Sequence, residues 1–292
     1  MTDARAVGRR FAAAITRSGA VRGAMRRAAR GGYLPEPVWR RLPPGQQEFQ
    51  VDVPGGSFTY RIEPEDPFAR ELFWRGLRAA EGASLGVFAE VAARGGFVLD
   101  VGGHTGLYTM AALAASPTVS VLAFEPVPRN VDGFRANLEV NGWSGRCELR
   151  QQAVSDVVGT VSMHIPTGDH PMSASLDPAG FRGLAGDVVE VSATTVDAAV
   201  DPDRRIDLIK IDVEGFEHVV LRGMTRTLQR WRPPVQIECN PDGPIGEIEQ
   251  TFLPLGYRFR HLRPGHVALS DRLVPDPSEL YRNFLCVPPP SS

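Results

Sequence analysis

The sequence predicts an α/β fold in which a mostly parallel sheet is covered by helices on both faces. Short apolar runs without polar alternation, typical of doubly buried parallel strands, lie at residues 97–101, 119–124, 207–211 and 235–238. Segments with helical spacing follow them. An acid stands within or directly after each run, and open α/β sheets bind ligands at the carboxyl ends of their strands. These acids are Asp100, Glu125, Asp212 and Glu238.

Length and composition favour an ordinary globular protein. The chain has 292 residues, of which 42% are hydrophobic and 23% charged, with a net charge of −2. This length allows one large domain or one domain with an extension, and the charge argues against a nucleic-acid partner. Without an apolar run of eighteen residues, we expect no transmembrane segment. Three widely spaced cysteines without a C-x-x-C pair predict a reducing, cytoplasmic location.

The first 95 residues predict an extension of the main domain, which we place at residues 96–292. An arginine-rich helix at 1–32 precedes a proline-rich linker at 33–47. The helix fits either a membrane or nucleic-acid surface or a capping role, and its poor apolar face favours capping. Period-two alternation around Pro54-Gly55-Gly56 predicts a β-hairpin, and helical spacing returns at 65–93 as capping helices.

The first core strand opens into a glycine-bearing loop, FVLDVGGHTG at residues 97–106. Gly102, Gly103 and Gly106 permit a tight turn and close approach to a ligand. In a dinucleotide site the loop faces a pyrophosphate, which an acid just before the first glycine would repel. Asp100 occupies that place, so the loop favours a cationic nucleoside. S-adenosylmethionine, which carries an ammonium and a sulfonium, is the expected ligand.

Two further strand ends complete the expected nucleoside site. Glu125 ends the second strand, where an acid can accept both ribose hydroxyls. The third strand is expected at 146–154, which makes Gln152 and the backbone of Ala153 candidates for the adenine edge. Residues 157–165 predict an added antiparallel strand. The polar stretch at 167–186 fits equally a lid and a surface loop.

A second informative stretch is IDLIKIDVEGFE at residues 206–217. Strand alternation places Lys210, the only lysine among the 32 basic residues, on the same side as Asp212. Asp212 and Glu214 then project from the carboxyl end of this fourth strand. The pattern next predicts one amphipathic helix at 217–231 and a fifth strand ending at Glu238. Two more strands are expected at 256–262 and 283–287.

These stretches resemble the FkbM-type family of S-adenosylmethionine-dependent methyltransferases. The resemblance rests on VLDVGGHTGLYT, AFEP, AVSD and DLIKIDVEGFEHVVLRG, in the family's order and spacing from about residue 97 to the C terminus. It implies a class I, Rossmann-like methyltransferase fold, with a seven-stranded, mostly parallel sheet and one antiparallel strand near the C-terminal edge. It also implies O-methylation of a hydroxyl on a sugar, a polyketide or another secondary metabolite.

The resemblance implies a cofactor role for a set of residues around the predicted strand ends. Asp100 would orient the ammonium of the cofactor, directly or through a water. His104 stands where the family more often has asparagine, and both residues can form hydrogen bonds in a turn. The full set is Asp100, Gly102, Gly103, His104, Thr105, Gly106, Glu125, Pro126, Gln152, Ala153 and Asp212.

Methyl transfer to a hydroxyl also needs a base within hydrogen-bond reach of the acceptor. The candidates are Asp212 first, then Glu214, Glu238, His164 and His170. Metal-dependent O-methyltransferases place a similar oxygen set at neighbouring strand ends, so Asp212, Glu238 and Asn240 are also candidate ligands of Mg²⁺ or Ca²⁺. In the alternative interpretation, Asp212 and Glu214 bind only backbone groups and Lys210.

We therefore expect a small-molecule partner with a hydroxyl group, and the sequence leaves a homodimer open. Two other functions compete with this one. A nicotinamide-dependent oxidoreductase would need a further glycine and a catalytic Tyr/Lys pair. A non-catalytic nucleoside-binding scaffold would keep the glycine loop and use the arginine-rich N terminus.

Overall fold

The computed structural model describes residues 18–44, 47–62, 67–78, 80–166 and 186–290. The lid or loop expected at 167–186 therefore lies almost entirely outside the described residues, as does His170. Within the described ranges, every helix is too short or too polar to cross a bilayer.

The chain before residue 96 forms helices and one β-hairpin. The strands alternate buried and exposed residues, as the period-two pattern predicts, and pair antiparallel from Glu48–Arg61 to Val53–Gly56. Trp39 is buried, so the proline-rich segment packs onto the protein. The elements are α1 (Gly19–Arg30), α2 (Glu36–Trp39), β1 (Glu48–Val53), β2 (Gly56–Arg61), α3 (Pro67–Arg75) and α4 (Ala80–Ala92).

The central sheet has seven strands in the order β11-β12-β10-β9-β3-β4-β5. β12 runs antiparallel to both β10 and β11, and the other strand pairs of this sheet are parallel. The predicted α/β fold with one antiparallel strand near the edge is therefore confirmed. A separate sheet has the order β6-β8-β7, and its β7–β8 pair confirms the added antiparallel strand. The strands are β3 (Gly96–Val101), β4 (Val119–Phe124), β5 (Cys147–Arg150), β6 (Ala153–Val154), β7 (Gly159–Pro166), β8 (Gly186–Thr194), β9 (Leu208–Ile211), β10 (Val235–Glu238), β11 (Arg258–His261) and β12 (Asn283–Val287).

Helices cover both faces of the central sheet. Val98 and Leu208 pack with the N-terminal elements, whereas Leu99, Ile209 and Ile211 pack on the opposite face. This alternation is why the central strands are apolar throughout. The remaining helices are α5 (Leu107–Ala115), α6 (Pro128–Val140), α7 (Val196–Ala199), α8 (Glu217–Arg222), α9 (Thr225–Trp231) and α10 (Ile245–Phe252).

Two predicted elements are each divided in the structure. The single strand expected at 146–154 is wrong, because β5 pairs with β4 whereas β6 pairs with β8 in the other sheet. The single helix expected at 217–231 is also wrong, because it is interrupted at Gly223. The carbonyl of Gly223 accepts a hydrogen bond from the Asp197 amide, and a side chain there would overlap the Ser155 carbonyl.

Candidate active site

One cavity opens at the carboxyl ends of the parallel strands. Of the candidate residues, Gly106, His164 and Asn240 do not line it, and His170 lies outside the described residues. Tyr60, Glu81 and Arg282, which the sequence analysis missed, do line it. The candidates that line it are Asp100, Gly102, Gly103, His104, Thr105, Glu125, Pro126, Gln152, Ala153, Asp212, Glu214 and Glu238.

The glycine loop between β3 and α5 is held in left-handed backbone conformations. Gly102 and Gly106 have φ values of 79° and 88°, and His104 has 49°. Histidine and asparagine are both enriched in this region, which explains why either residue suits position 104. A side chain on Gly102 would overlap the carbonyl oxygen of Asp212. Glycine is therefore needed here for packing between two loops as well as for the turn.

Asp100 lines the cavity and is only 1% exposed. The Thr109 hydroxyl donates to its Oδ2 at 2.6 Å. Burial raises the pKa of Asp100 to about 6, although this hydrogen bond and the charge of Lys210 oppose the shift. A cationic ligand group would stabilise the ionised form, because opposite charges favour ionisation.

Glu125 is fixed by three donors at the end of β4. Its Oε2 accepts from the His104 amide at 2.9 Å, and its Oε1 accepts from the Val127 amide at 2.9 Å and from Asn130 Nδ2 at 3.1 Å. Burial raises the pKa of Glu125, and these hydrogen bonds oppose the shift. An ionised carboxylate accepts at about four lone-pair sites, so it retains capacity toward the cavity.

Gln152 and Ala153 line the cavity between β5 and the start of β6. The side-chain Nε2 of Gln152 donates to the Ser192 hydroxyl at 3.1 Å. This contact ties the end of the third strand of the central sheet to β8. Met163 of β7 also lines the cavity. His164 is its neighbour along the strand, and strand alternation places the two side chains on opposite faces.

Lys210 is fully buried in β9 beside the cavity. Its Nζ donates to Asp212 Oδ2 and to Asn283 Oδ1, each at 2.9 Å, and lies 4.7 Å from the centre of the Tyr108 ring. Burial alone would lower the pKa of Lys210, but the charges of Asp212 and Glu81 raise it above its ordinary value. Lys210 is therefore a buried ammonium held by acids.

Tyr108 is the other half of this contact. Its hydroxyl donates to Glu81 Oε1 and forms a hydrogen bond with the Ser84 hydroxyl. Burial and the Glu81 charge raise the pKa of Tyr108 well above its ordinary value. A catalytic tyrosine of an oxidoreductase needs a readily transferred proton, so this Tyr/Lys contact does not favour the oxidoreductase alternative.

Three carboxylates meet at the ends of β9 and β10. Oxygen atoms of Asp212, Glu214 and Glu238 lie within 4.8 Å of one another. Burial and the charge of Asp212 raise the pKa of Glu214 to about 8, and the same causes raise that of Glu238 well above its ordinary value. Like charges at such a distance cannot all be ionised without compensation.

The arrangement differs from the oxygen set that the sequence suggested. Glu214 belongs to the carboxylate cluster. Asn240 does not line the cavity, and its Oδ1 accepts from Arg282 Nη1 at 3.1 Å. Arg282 Nε also lies 3.3 Å from Glu238 Oε1. Glu238 Oε2 has no hydrogen-bond partner among the described residues. The cluster thus has an unsatisfied oxygen beside the cavity.

Comparison with known proteins identifies the family. The pattern described as the methyltransferase FkbM domain matches residues 100–259. The 31-O-demethyl-FK506 methyltransferase FkbM of Streptomyces tacrolimicus is 29% identical over 236 residues, covering 71% of this chain and 84% of that protein. Methyltransferase 1 of Beauveria bassiana is 27% identical over 144 residues, covering 44% of this chain and 58% of that protein.

A solved structure is similar as well. Methyltransferase FkbM from Methylobacillus flagellatus matches with a TM-score of 0.44 and 12% identity, covering 76% of this chain and 55% of that one. The chain thus spans little more than half the length of the Beauveria and Methylobacillus proteins. Since the domain pattern matches more than half of the chain, the protein belongs to the FkbM family of methyltransferases.

Proposed function

We propose that this protein transfers the methyl group of S-adenosylmethionine to a hydroxyl of a small-molecule secondary metabolite. The observation that carries the proposal is the single cavity in which a glycine loop with Asp100 and Glu125 faces the carboxylates of Asp212, Glu214 and Glu238. The glycine loop with its two acids suits a cationic nucleoside, and the three carboxylates opposite suit removal of a proton from the acceptor. The name of the Streptomyces relative, 31-O-demethyl-FK506 methyltransferase, supports transfer to oxygen.

In this proposal the cofactor lies across the ends of β3, β4 and β5. Asp100 attracts its ammonium, the loop from Gly102 to Gly106 borders its methionine and ribose portions, and Glu125 accepts the ribose hydroxyls. Pro126, Gln152 and Ala153 then border the adenine. The sulfonium loses its charge as the methyl leaves, so a site closed to water favours transfer.

We propose Glu214 as the base and Asp212 as its positioning partner. Asp212 was the first candidate from sequence, but one of its oxygens is occupied by the Lys210 ammonium. Glu214 is half-buried and lines the cavity. A base is most effective when its pKa lies near the working pH, and burial beside Asp212 places that of Glu214 at about 8.

This assignment predicts a pH dependence. Glu214 must be ionised to accept the acceptor proton, so methyl transfer should rise with pH and level off above about 8. Glu214→Gln should lower kcat about 100-fold or more and remove this rise, because general-base catalysis contributes that much. The measurement is adenosylhomocysteine formation across the pH range. Glu139→Gln, at an exposed site on α6, is the matched control and should keep the wild-type profile. A Glu214→Gln profile that still rises toward pH 8 would exclude Glu214.

A divalent cation stays a prediction, and Glu214 joins Asp212, Glu238 and Asn240 as a ligand candidate. The cluster would suit Mg²⁺ or Ca²⁺, which prefer oxygen ligands. However, Lys210 and Arg282 already lie within ion-pair distance of Asp212 and Glu238 and offset part of this charge within the chain. We therefore propose transfer that does not require a metal. Dialysis against EDTA tests this, and activity that returned only with added Mg²⁺ would contradict it.

The proposed function itself is tested in two steps. Calorimetry should detect binding of adenosylhomocysteine and no binding of NAD. Sugar-derived and polyketide-derived alcohols are then incubated with S-adenosylmethionine, each beside its O-methyl ether. A free alcohol should give a product about 14 Da heavier, because CH₃ replaces H, and this product should form in proportion to adenosylhomocysteine. The O-methyl ethers should give no such product. Retention of NAD in preference to adenosylhomocysteine would favour the oxidoreductase alternative.

A further inference from the structure

The cavity includes side chains that lie outside the matched family region. The match covers residues 100–259, whereas Tyr60 and Glu81 precede it and Arg282 follows it. Tyr60 is on β2 of the N-terminal hairpin and is only 2% exposed. The hairpin therefore contributes directly to a site that is built mostly from the family domain.

The hydroxyl of Tyr60 contacts the middle of the glycine loop. It forms a hydrogen bond with the Thr105 hydroxyl, which also lies 3.2 Å from His104 Nδ1. Thr105 stands between His104 and Gly106, which both have positive φ values. Backbone in such sparsely populated conformations persists when surrounding contacts hold it. Tyr60 supplies one of these contacts from outside the loop.

The edge of β2 is attached to the same region through α6. Asn137 lies in α6 and Asn141 is the C-cap residue of that helix, and the four-residue spacing places both side chains on one face. Asn141 Oδ1 accepts from the Thr59 amide at 2.8 Å, and its Nδ2 donates to the Thr59 carbonyl at 2.7 Å. Its amide thus pairs with the strand edge as a neighbouring strand would.

Asn137 joins the hairpin to the loop itself. Its Oδ1 accepts from the Arg61 amide at 2.8 Å, and its Nδ2 donates to the Thr105 carbonyl at 2.9 Å. Thr105 is thus held at its hydroxyl by Tyr60 and at its carbonyl by Asn137. Both attachments lead to β2.

The turn of the hairpin packs closely against the C-terminal end of α5. A side chain on Gly55 or Gly56 would overlap the backbone of Ala115 or Ala114, at the end of that helix. Phe58 and Tyr60 are buried in the same core as Met110 and Ala111 of α5. The hairpin is therefore fixed independently of the loop and provides a rigid support for it.

We propose that Tyr60 is a positioning residue that holds the glycine loop in its cofactor-binding conformation. The inference depends on the proposed function, because it takes S-adenosylmethionine as the ligand of the loop. A loop that is already ordered loses less conformational entropy on binding, so the hairpin raises cofactor affinity. Residues before the family domain thereby become part of its cofactor site.

Tyr60→Phe tests the inference, because it removes the hydroxyl and keeps the ring. The probe is adenosylhomocysteine, with its Kd measured by calorimetry. Loss of one hydrogen bond should weaken binding about 3- to 10-fold. The matched control is Tyr257→Phe, since Tyr257 is equally buried and its hydroxyl donates to the Pro233 carbonyl at 2.8 Å in the other core. This control should bind like the wild type, even if its Tm falls.

Thr105 provides a second variant and a conservative rescue. Thr105→Val removes the hydroxyl from the other side of the contact, so Tyr60→Phe should weaken binding no further in that background. Thr105→Ser keeps the hydroxyl, so Tyr60→Phe should weaken binding in that background by the same factor as in the wild type. Equal Kd values for Tyr60→Phe and the wild type would overturn the inference, as would equal losses in Tyr60→Phe and Tyr257→Phe. Failure of the wild type to bind adenosylhomocysteine would instead overturn the proposed function.

Discussion

Gly102→Ala is expected to destabilise the fold and abolish cofactor binding. The new Cβ would overlap the Asp212 carbonyl oxygen, and the backbone at Gly102 has a φ of 79°. A left-handed conformation costs a residue with a Cβ about 1–2 kcal/mol, and overpacking adds about 1–3 kcal/mol. Because the obstructing atom is backbone, β3 and β9 must separate to make room. Denaturant unfolding should show a loss of about 2–5 kcal/mol.

Gly142→Ala separates the cost of the left-handed backbone conformation from the cost of the steric overlap. Gly142 has a φ of 70°, and a Cβ there would meet no atom within 4 Å. Its substitution therefore carries only the conformational cost, about 1–2 kcal/mol, and should leave the Kd for adenosylhomocysteine unchanged. If Gly102→Ala and Gly142→Ala lost the same free energy of unfolding and bound equally well, the close approach of the two loops would play no part.

Glu125→Ala should have the largest effect on affinity among the folded variants. In the proposed complex this carboxylate accepts both ribose hydroxyls, and hydrogen bonds to charged groups contribute about 1.5–3 kcal/mol each. We expect the Kd for adenosylhomocysteine to rise about 100-fold or more. Calorimetry gives the Kd, and circular dichroism with the Tm verifies folding.

Asn130→Ala is the control for the structural role of Glu125. It removes one internal donor, at 3.1 Å from Oε1, and leaves the carboxylate in place. Its Kd should change by less than about 10-fold, the effect of one hydrogen bond. Glu125→Gln keeps the size of the side chain and should bind weakly, since the charge is lost. Wild-type affinity in a folded Glu125→Ala variant would remove Glu125 from the ribose site.

The architecture could be predicted because its signals are local. Parallel strands buried on both faces are continuously apolar, and the acids that end them share one rim of the sheet. Asp100, Glu125, Asp212 and Glu238 do meet at one cavity. The helix at 217–231 was wrong because its interruption depends on Ser155 and Asp197, which approach Gly223 from distant parts of the chain. Periodicity within a segment carries no information about such contacts.

The parts of the site that were missed depend on the same kind of contact. Tyr60 looks like one more apolar position of a hairpin, and Glu81 like a solvated residue of a helix's first turn. Only the packing of the N-terminal elements on α5 brings both to the cavity. Asn240 illustrates the reverse case. It follows a strand end, but it does not line the cavity, and its amide oxygen accepts a hydrogen bond from Arg282, 42 residues away.

The burial of Lys210 gives this protein an unusual internal reporter. It is the only lysine, and its side chain is inaccessible in the folded chain. An acylating reagent for amines can reach it only in molecules in which the Lys210 Nζ has left Asp212 and Asn283 and become exposed. A lysine-specific endoprotease likewise has one target bond, inside that strand. Either reagent would measure how often the sheet opens at β9, and how far a bound ligand suppresses that opening.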